Sequence, residues 1–227
     1  MLDNNFSYSI SVDCVIFGYD STDLKVLLIK RGEKPYLDYW ALPGDLIHPK
    51  ESIDDSVKRV LKDLTGLSNV YMEQVKTFGD VGRHPFGRVF TVAYNSLLKI
   101  SDYELNPSSF AVEAKWHSVK RIGELAFDHN KIFATCKENL KQNVQRQPIG
   151  FELLPEKFTL SQLQDLYQTI LQKQFDKRNF RKKVISMKIL KDSGEMQQSV
   201  SHRPAKLFTF NKSNYLKLKE TGFNFEI

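Results

Sequence analysis

The sequence predicts an α+β chain in two parts: a strand-rich body, then a smaller basic region of helices and a hairpin. Three observations predict it. Apolar, β-branched runs recur through residues 1–120 around one helical stretch, without strict strand–helix alternation. Beyond residue 150, two capped segments carry the 3.6-residue periodicity of amphipathic helices. The net charge of +6 belongs entirely to the last third: residues 151–227 hold 14 Lys+Arg against 8 Asp+Glu, and residues 1–150 hold 19 of each.

Ser9–Phe17 and Leu24–Lys30 are apolar runs joined by the turn signal Tyr19-Asp20-Ser21-Thr22, a predicted hairpin. Ser52 serves as N-cap, with Asp55 three positions on, for a helix through about Leu64. Ile53, Val57, Val60, Leu61 and Leu64 share one helical face, and Gly66 is the C-cap. Val70–Phe78, Val89–Leu98 and Val112–Val119 return to strand character, and Asp128–Leu140 reads as a second helix against the sheet.

The polar run Gln145-Arg146-Gln147-Pro148-Ile149-Gly150 sets a boundary between residues 1–147 and 148–227. Thr159 and Gln162 form a capping box for a helix carrying Leu160, Leu163, Leu166, Tyr167, Ile170 and Leu171. Asp176 caps a further helix from Lys177 to about Met187. Ile189–Lys191, a turn at Asp192-Ser193-Gly194, and Lys206–Phe210 read as a hairpin with a long polar tip. Helices followed by a basic hairpin are the layout of a winged helix.

Composition narrows the function. No apolar run approaches the roughly 20 residues of a membrane-spanning helix. The polar, acidic start (Met1 to Tyr8) is no signal peptide. Cys14 and Cys136 sit in apolar stretches without metal-ligand spacing, as free thiols do in a reducing cytoplasm. A neutral body with a basic tail domain suggests a polyanion partner for the tail alone.

Trp40-Ala41-Leu42-Pro43-Gly44-Asp45 through Leu67, preceded by Lys30-Arg31, resembles the Nudix box, Gly-x5-Glu-x7-Arg-Glu-U-x-Glu-Glu-x-Gly-U with U a bulky aliphatic. Anchored on Gly66, Glu51 and Arg59 match the first glutamate and the arginine, and Leu61 and Leu67 the aliphatics. The three remaining carboxylate positions, i, i+3 and i+4 on one helix face, hold Mg²⁺ in Nudix hydrolases. Here they are Val60, Asp63 and Leu64, and Asp45 replaces the opening glycine. One carboxylate between apolar neighbours is a poor Mg²⁺ site, so the reading is a binding domain without catalytic residues, metal or other cofactor. Arg59 is expected to pair with Glu51 or Asp55.

The whole chain resembles the Nudix-related transcriptional regulators, which join a Nudix domain to a C-terminal winged helix. Arg83-His84-Pro85-Phe86-Gly87-Arg88 is similar to an Arg-Asp-Pro-Arg-Gly-Arg loop of that family, with His84 and Phe86 departing from it. Leu125-Ala126-Phe127-Asp128-His129, Phe158 through Gln164, Asp176 through Lys183 and His202 through Leu207 complete the resemblance. It implies an α/β/α sandwich with a mixed sheet, then a winged helix, in a cytoplasmic homodimer on double-stranded operator DNA.

On the helix after Asp176, Phe180, Val184 and Met187 share a core face and Arg178 and Lys182 point roughly opposite. The expected DNA-binding residues are Lys177, Arg178, Asn179, Arg181, Lys182 and Lys183, with His202 and Arg203 at the wing. The expected effector residues are Arg31, Trp40, Asp45, Glu51 and Arg88. The resemblance implies an ADP-ribose-type nucleotide or a sugar such as arabinose as effector. Loss of the metal carboxylates and of part of the arginine loop favours the neutral sugar. The alternatives are an active hydrolase of ADP-ribose or a similar diphosphate, and a nucleotide sensor that binds protein or RNA.

Overall fold

The computed structural model describes residues 8–198 and 203–227. Among these residues two compact units are formed, 8–20 with 24–140 and 21–23 with 141–227.

The first unit runs β1 (Ser9–Tyr19), β2 (Leu24–Arg31), β3 (Trp40–Ala41), β4 (Gly44–Leu46), α1 (Ile53–Thr65), β5 (Glu73–Phe78), β6 (Val89–Lys99) and β7 (Ala111–Ser118), and α2 (His129–Arg146) begins in it. The sheet order is β3-β2-β1-β6-β5, with β4 added to β1 and β7 to β2. β1 and β6 are parallel along their length and the other pairs antiparallel, so the sheet is mixed.

Side-chain alternation on β1 sorts the two faces. Val12, Cys14 and Ile16 point into a core shared with Val57, Val60, Leu61 and Leu64 of α1. Such burial is worth about 1.5–3 kcal/mol per large side chain, and Leu64→Ala would cost roughly 2–5 kcal/mol. On the opposite face Phe17 meets Phe133 of α2 at 6.1 Å. Ser11 and Asp13 share that second face, nearer the start of the strand. The helices therefore cover both faces, an α/β/α sandwich.

Caps fix α1 at both ends. Ser52 accepts the Asp55 amide at one end. At the other, Gly66 has φ +80°, and an added Cβ would sit 2.6 Å from the Asn106 backbone nitrogen, so glycine is required twice over.

Three differences from the sequence reading have local causes. β5 starts at Glu73 rather than Val70. The two- and three-residue strands β3 and β4 are too short to carry a period. α2 continues six residues past Leu140, because Val144 extends the buried row of Ile132, Cys136 and Leu140 by one more turn. It stops before Pro148, which holds Gln147 extended at φ −138°.

In the second unit a 3-10 turn over Pro148–Leu153 occupies the expected boundary, and buried Phe151 stacks on Phe210 at 4.5 Å. α3 (Leu160–Leu171) has both hydrogen bonds of the Thr159–Gln162 capping box, and Asp176 caps α4 (Lys177–Ser186). β8 (Leu190–Met196) and β9 (Lys206–Phe210) pair antiparallel. The expected turn at Asp192-Ser193-Gly194 is instead an irregularity inside β8: Asp192 faces Phe208 but Met196 faces Lys206, two extra residues on one strand. Gly194 at φ +75° and the Ser193 Oγ bond to the Leu207 carbonyl accommodate it. α5 (Lys212–Glu220) was not legible, since it buries no residue. No helix among the described residues is long and apolar enough to cross a membrane.

Candidate functional site

A cleft of about 240 Å³ opens on the first unit, floored by β1 and β6 and walled by the loops that carry Arg31–Pro35, Arg83–Phe86 and Phe127–His129. Asp13 lies on its floor. Burial pushes this carboxyl up to about 7, aided by Asp128 and opposed by Arg83 and Arg31. His129 Nδ1 accepts the Leu42 amide at 2.9 Å, so the neutral ring carries its proton on Nε2, which faces Asp13 Oδ2 across 3.6 Å. Burial, with Arg83 and Arg31 beside it, drives His129 down to about 3, which keeps the ring neutral. Arg83 grips Asp128 in a bidentate pair at 3.0 and 2.6 Å. It also donates to Thr91 Oγ1 at 2.6 Å, which in turn bonds Ser11.

Gly44 is part of this floor. It pairs with Asp13 across β1 and β4, and a Cβ there would lie 1.9 Å from Asp13 Oδ1.

Arg31 holds the centre. Its side chain is 8% exposed, Nε donates to the Pro35 carbonyl at 2.8 Å, and the guanidinium lies over Phe110 and Phe127 at 5.1 and 5.2 Å. Among the described residues no carboxylate lies within ion-pair distance of it. Burial lowers its proton affinity, partly offset by the more distant Glu33, Asp45 and Asp13. A buried guanidinium with no carboxylate against it can take an anion.

The box residues form a network that borders the cleft at Asp45 and Leu46. Arg59 bonds Glu51 through Nε and Nη2 at 3.0 and 2.8 Å, Asp45 through Nη1 at 2.7 Å, and the Leu46 carbonyl. Those bonds, with one from the His48 amide, hold the Glu51 carboxyl down at about 2. Asp55 pairs with Lys58, not Arg59. Val60 and Leu64 are core residues at 1% and 2% exposure, and Asp63 is half-buried. Among the described residues no group of three or more His, Cys, Asp or Glu is arranged to hold a metal ion.

Of the five expected effector residues, the fold brings Arg31 and Asp45 to the cleft lining. Trp40 packs on His117 at 4.4 Å, Arg88 over Phe90 at 4.6 Å, and Glu51 is held by Arg59.

On the second unit, Phe180 and Val184 anchor α4 in the core, with Met187 just beyond its end. Lys177, Arg178, Asn179, Lys182 and Lys183 are exposed. At about 100° per residue, Arg178 and Lys182 lie across the helix from Phe180, and Asn179 and Arg181 lie on opposite flanks. Arg181 is half-buried and braced on α3, donating to Ser161 Oγ at 3.1 Å. It lines a groove of roughly 790 Å³ together with Thr159, Lys177, Arg203 and Lys206. Arg203 is exposed, and His202 lies outside the described residues.

Comparison with known proteins gives this architecture a family. Residues 7–136 match the NUDIX domain, and residues 150–210 match the NrtR DNA-binding winged helix domain. The structure of Shewanella oneidensis NrtR complexed with a 27mer DNA is similar at TM-score 0.71 and 30% identity, covering 95% of this chain and 97% of that one. The chain belongs to the NrtR family. The NUDIX domain of S. oneidensis NrtR complexed with ADP ribose is similar at TM-score 0.56 and 31% identity, over 62% of this chain and 93% of that one. An ADPR responsive transcriptional repressor of Acinetobacter baylyi is 29% identical over 209 residues, 90% of this chain and 83% of the relative.

The sugar-responsive branch favoured by the sequence finds no support among these NrtR relatives. The burial of Arg31, which bears on the charge the cleft can take, is not displayed by the sequence. Reasoning from sequence also missed Asp13, Thr91 and His129 as cleft residues. One signal was present: Ser9, Ser11 and Asp13 alternate with Ile10, Val12 and Cys14 in a strand otherwise apolar on both faces.

Proposed function

We propose that the chain is an ADP-ribose-responsive transcriptional repressor, with residues 1–147 binding the effector and residues 148–227 binding DNA as a homodimer on an inverted repeat. The observation that carries the reading is α4, an apolar-backed helix with a cationic front inside the segment that matches a DNA-binding winged helix. Arg178 is assigned to a guanine edge, which arginine reads bidentately. Lys177, Lys182 and Lys183 are assigned to phosphates, Arg181 and Asn179 to the flanks, and His202 and Arg203 to the backbone beside the wing.

The effector assignment rests on Arg31. A neutral sugar would add no charge to pair with it, whereas the diphosphate of ADP-ribose supplies an anion; one relative is named as ADPR responsive, and the NUDIX domain of S. oneidensis NrtR is solved with ADP ribose. Asp45 borders the same cleft, and Trp40, Glu51 and Arg88 are not assigned to the effector. Effector control requires that ADP-ribose bind the DNA-competent and DNA-free forms with different affinity.

The cleft is assigned binding without turnover. Mg²⁺ wants oxygen ligands, and Val60 and Leu64 offer buried methyls while Arg59 occupies Glu51. Mobility-shift titration of duplexes from upstream of the gene, at several salt concentrations and against excess unrelated DNA, tests the DNA assignment. Specific retention supports it; equal displacement by any polyanion refutes it.

A further inference from the structure

The cleft carries a feature that the diphosphate seat does not use. A row of aromatic rings runs along its rim. Tyr39 meets Tyr36 at 5.6 Å, Tyr36 meets Phe127 at 4.7 Å, and Phe127 stacks on His84 at 5.1 Å with planes only 10° apart. Phe86 ends the row, edge-on to His84 at 6.0 Å. Phe86 lines the cleft and is 73% exposed.

The row is held in place. The Phe86 amide donates to His84 Nδ1 at 3.3 Å, fixing the turn between them. Burial and the neighbouring Arg83 and Arg31 lower the proton affinity of His84, so its ring is a neutral π surface at pH 7. Tyr36 and Phe127 both adopt left-handed backbone, φ +64° and +55°, a conformation that bulky residues avoid and that gathers at ligand sites. Phe127 also lies beneath the Arg31 guanidinium, so the anion seat and the aromatic row share one ring.

We propose that His84 and Phe86 form a nucleobase subsite, in which the purine ring of the effector stacks on Phe86 while its phosphates reach Arg31. The proposal rests on the reading of the cleft as a nucleotide-effector site. A flat heterocycle would cover the open Phe86 face, and stacking accepts any base because every base presents a π face.

Isothermal titration of the full-length protein with ADP-ribose, AMP and ribose 5-phosphate tests it. Because Phe86 is exposed, Phe86→Ala removes no core contact. The expected result is about tenfold weaker binding of ADP-ribose by Phe86→Ala, with ribose 5-phosphate unaffected. Phe86→Trp should retain affinity and show tryptophan quenching on adding ADP-ribose but not ribose 5-phosphate. Unchanged ADP-ribose affinity in Phe86→Ala, or an equal loss for both ligands, overturns the subsite and leaves the effector reading standing. Phe86-dependent binding of AMP by a chain that ignores ADP-ribose overturns the effector reading and retains the subsite. No binding of either nucleotide overturns both.

Discussion

Asp13→Asn should stabilise the first unit, by an amount that grows with pH. Asp13 titrates near 7 instead of its ordinary 3.8, chiefly because burial strips its water. At about 1.4 kcal/mol per pH unit, the ionised carboxylate costs the fold about 4 kcal/mol above pH 7. Linkage supplies the sign. Between the two values the native chain holds a proton that the unfolded chain has released, so stability falls as pH rises from about 4 to 7. An amide in the same place cannot ionise, but it must find new hydrogen-bond partners, which takes back about 1–3 kcal/mol. The net gain at about pH 8 is then about 1–3 kcal/mol, or roughly 2–4 °C in Tm for each kcal/mol in a chain of this length. Near pH 4 the ionisation cost vanishes and only the amide's cost remains, so there the variant is less stable by about 1–3 kcal/mol. His129, buried neutral, works in the opposite sense, its contribution being lost as pH falls from about 6.5 towards 3. Because His129 faces Asp13 across 3.6 Å the two titrations are coupled, and the comparison is read above about pH 6.5, where His129 is neutral in both states. Urea unfolding followed by the fluorescence of Trp40 and Trp116, both in this unit, measures it. A pH-independent difference, or a less stable Asn variant at about pH 8, would show that Asp13 is not held protonated by burial.

Three further outcomes are expected. Arg178→Ala should weaken specific operator binding by about 1–3 kcal/mol, whereas Lys182→Ala should weaken all duplexes alike and reduce the salt slope by about 1; titrations at several salt concentrations separate them. Gly44→Ala should destabilise the first unit by at least about 2 kcal/mol in urea, because its Cβ collides with Asp13 and with the Val12 carbonyl at 2.8 Å. Installing glutamates by Val60→Glu and Leu64→Glu should lower Tm without creating a hydrolase, since both positions are core; Mg²⁺-dependent release of AMP from ADP-ribose by either wild type or variant would contradict this.

The parts of this fold legible in the sequence are those set by local chemistry. Ser52, Gly66, the Thr159–Gln162 box and Asp176 fix helix ends through bonds spanning three or four residues, and each forms as the sequence reads. What stayed hidden depends on distant partners or on short elements. α5 buries no residue and so imprints no period, and the Asp192-Ser193-Gly194 signal for a turn is met by a strand irregularity of similar chemistry. Glu51 as Arg59's partner was one of two options readable from spacing. Asp45 as the second partner, 14 residues away, was not. Asp13, His129 and Arg31 meet only because β1, β2 and α2 do. Their burial, which decides the chemistry of the cleft, belongs to the tertiary fold alone.

Effector-controlled DNA binding is tested most directly by fluorescence anisotropy of a labelled upstream duplex, titrated with the protein in the presence of a chelator, with ADP-ribose, with arabinose and with neither. The expected result is specific binding that ADP-ribose releases and arabinose does not, with the nucleotide recovered intact. A complex released by arabinose alone, or one indifferent to both ligands, would contradict it.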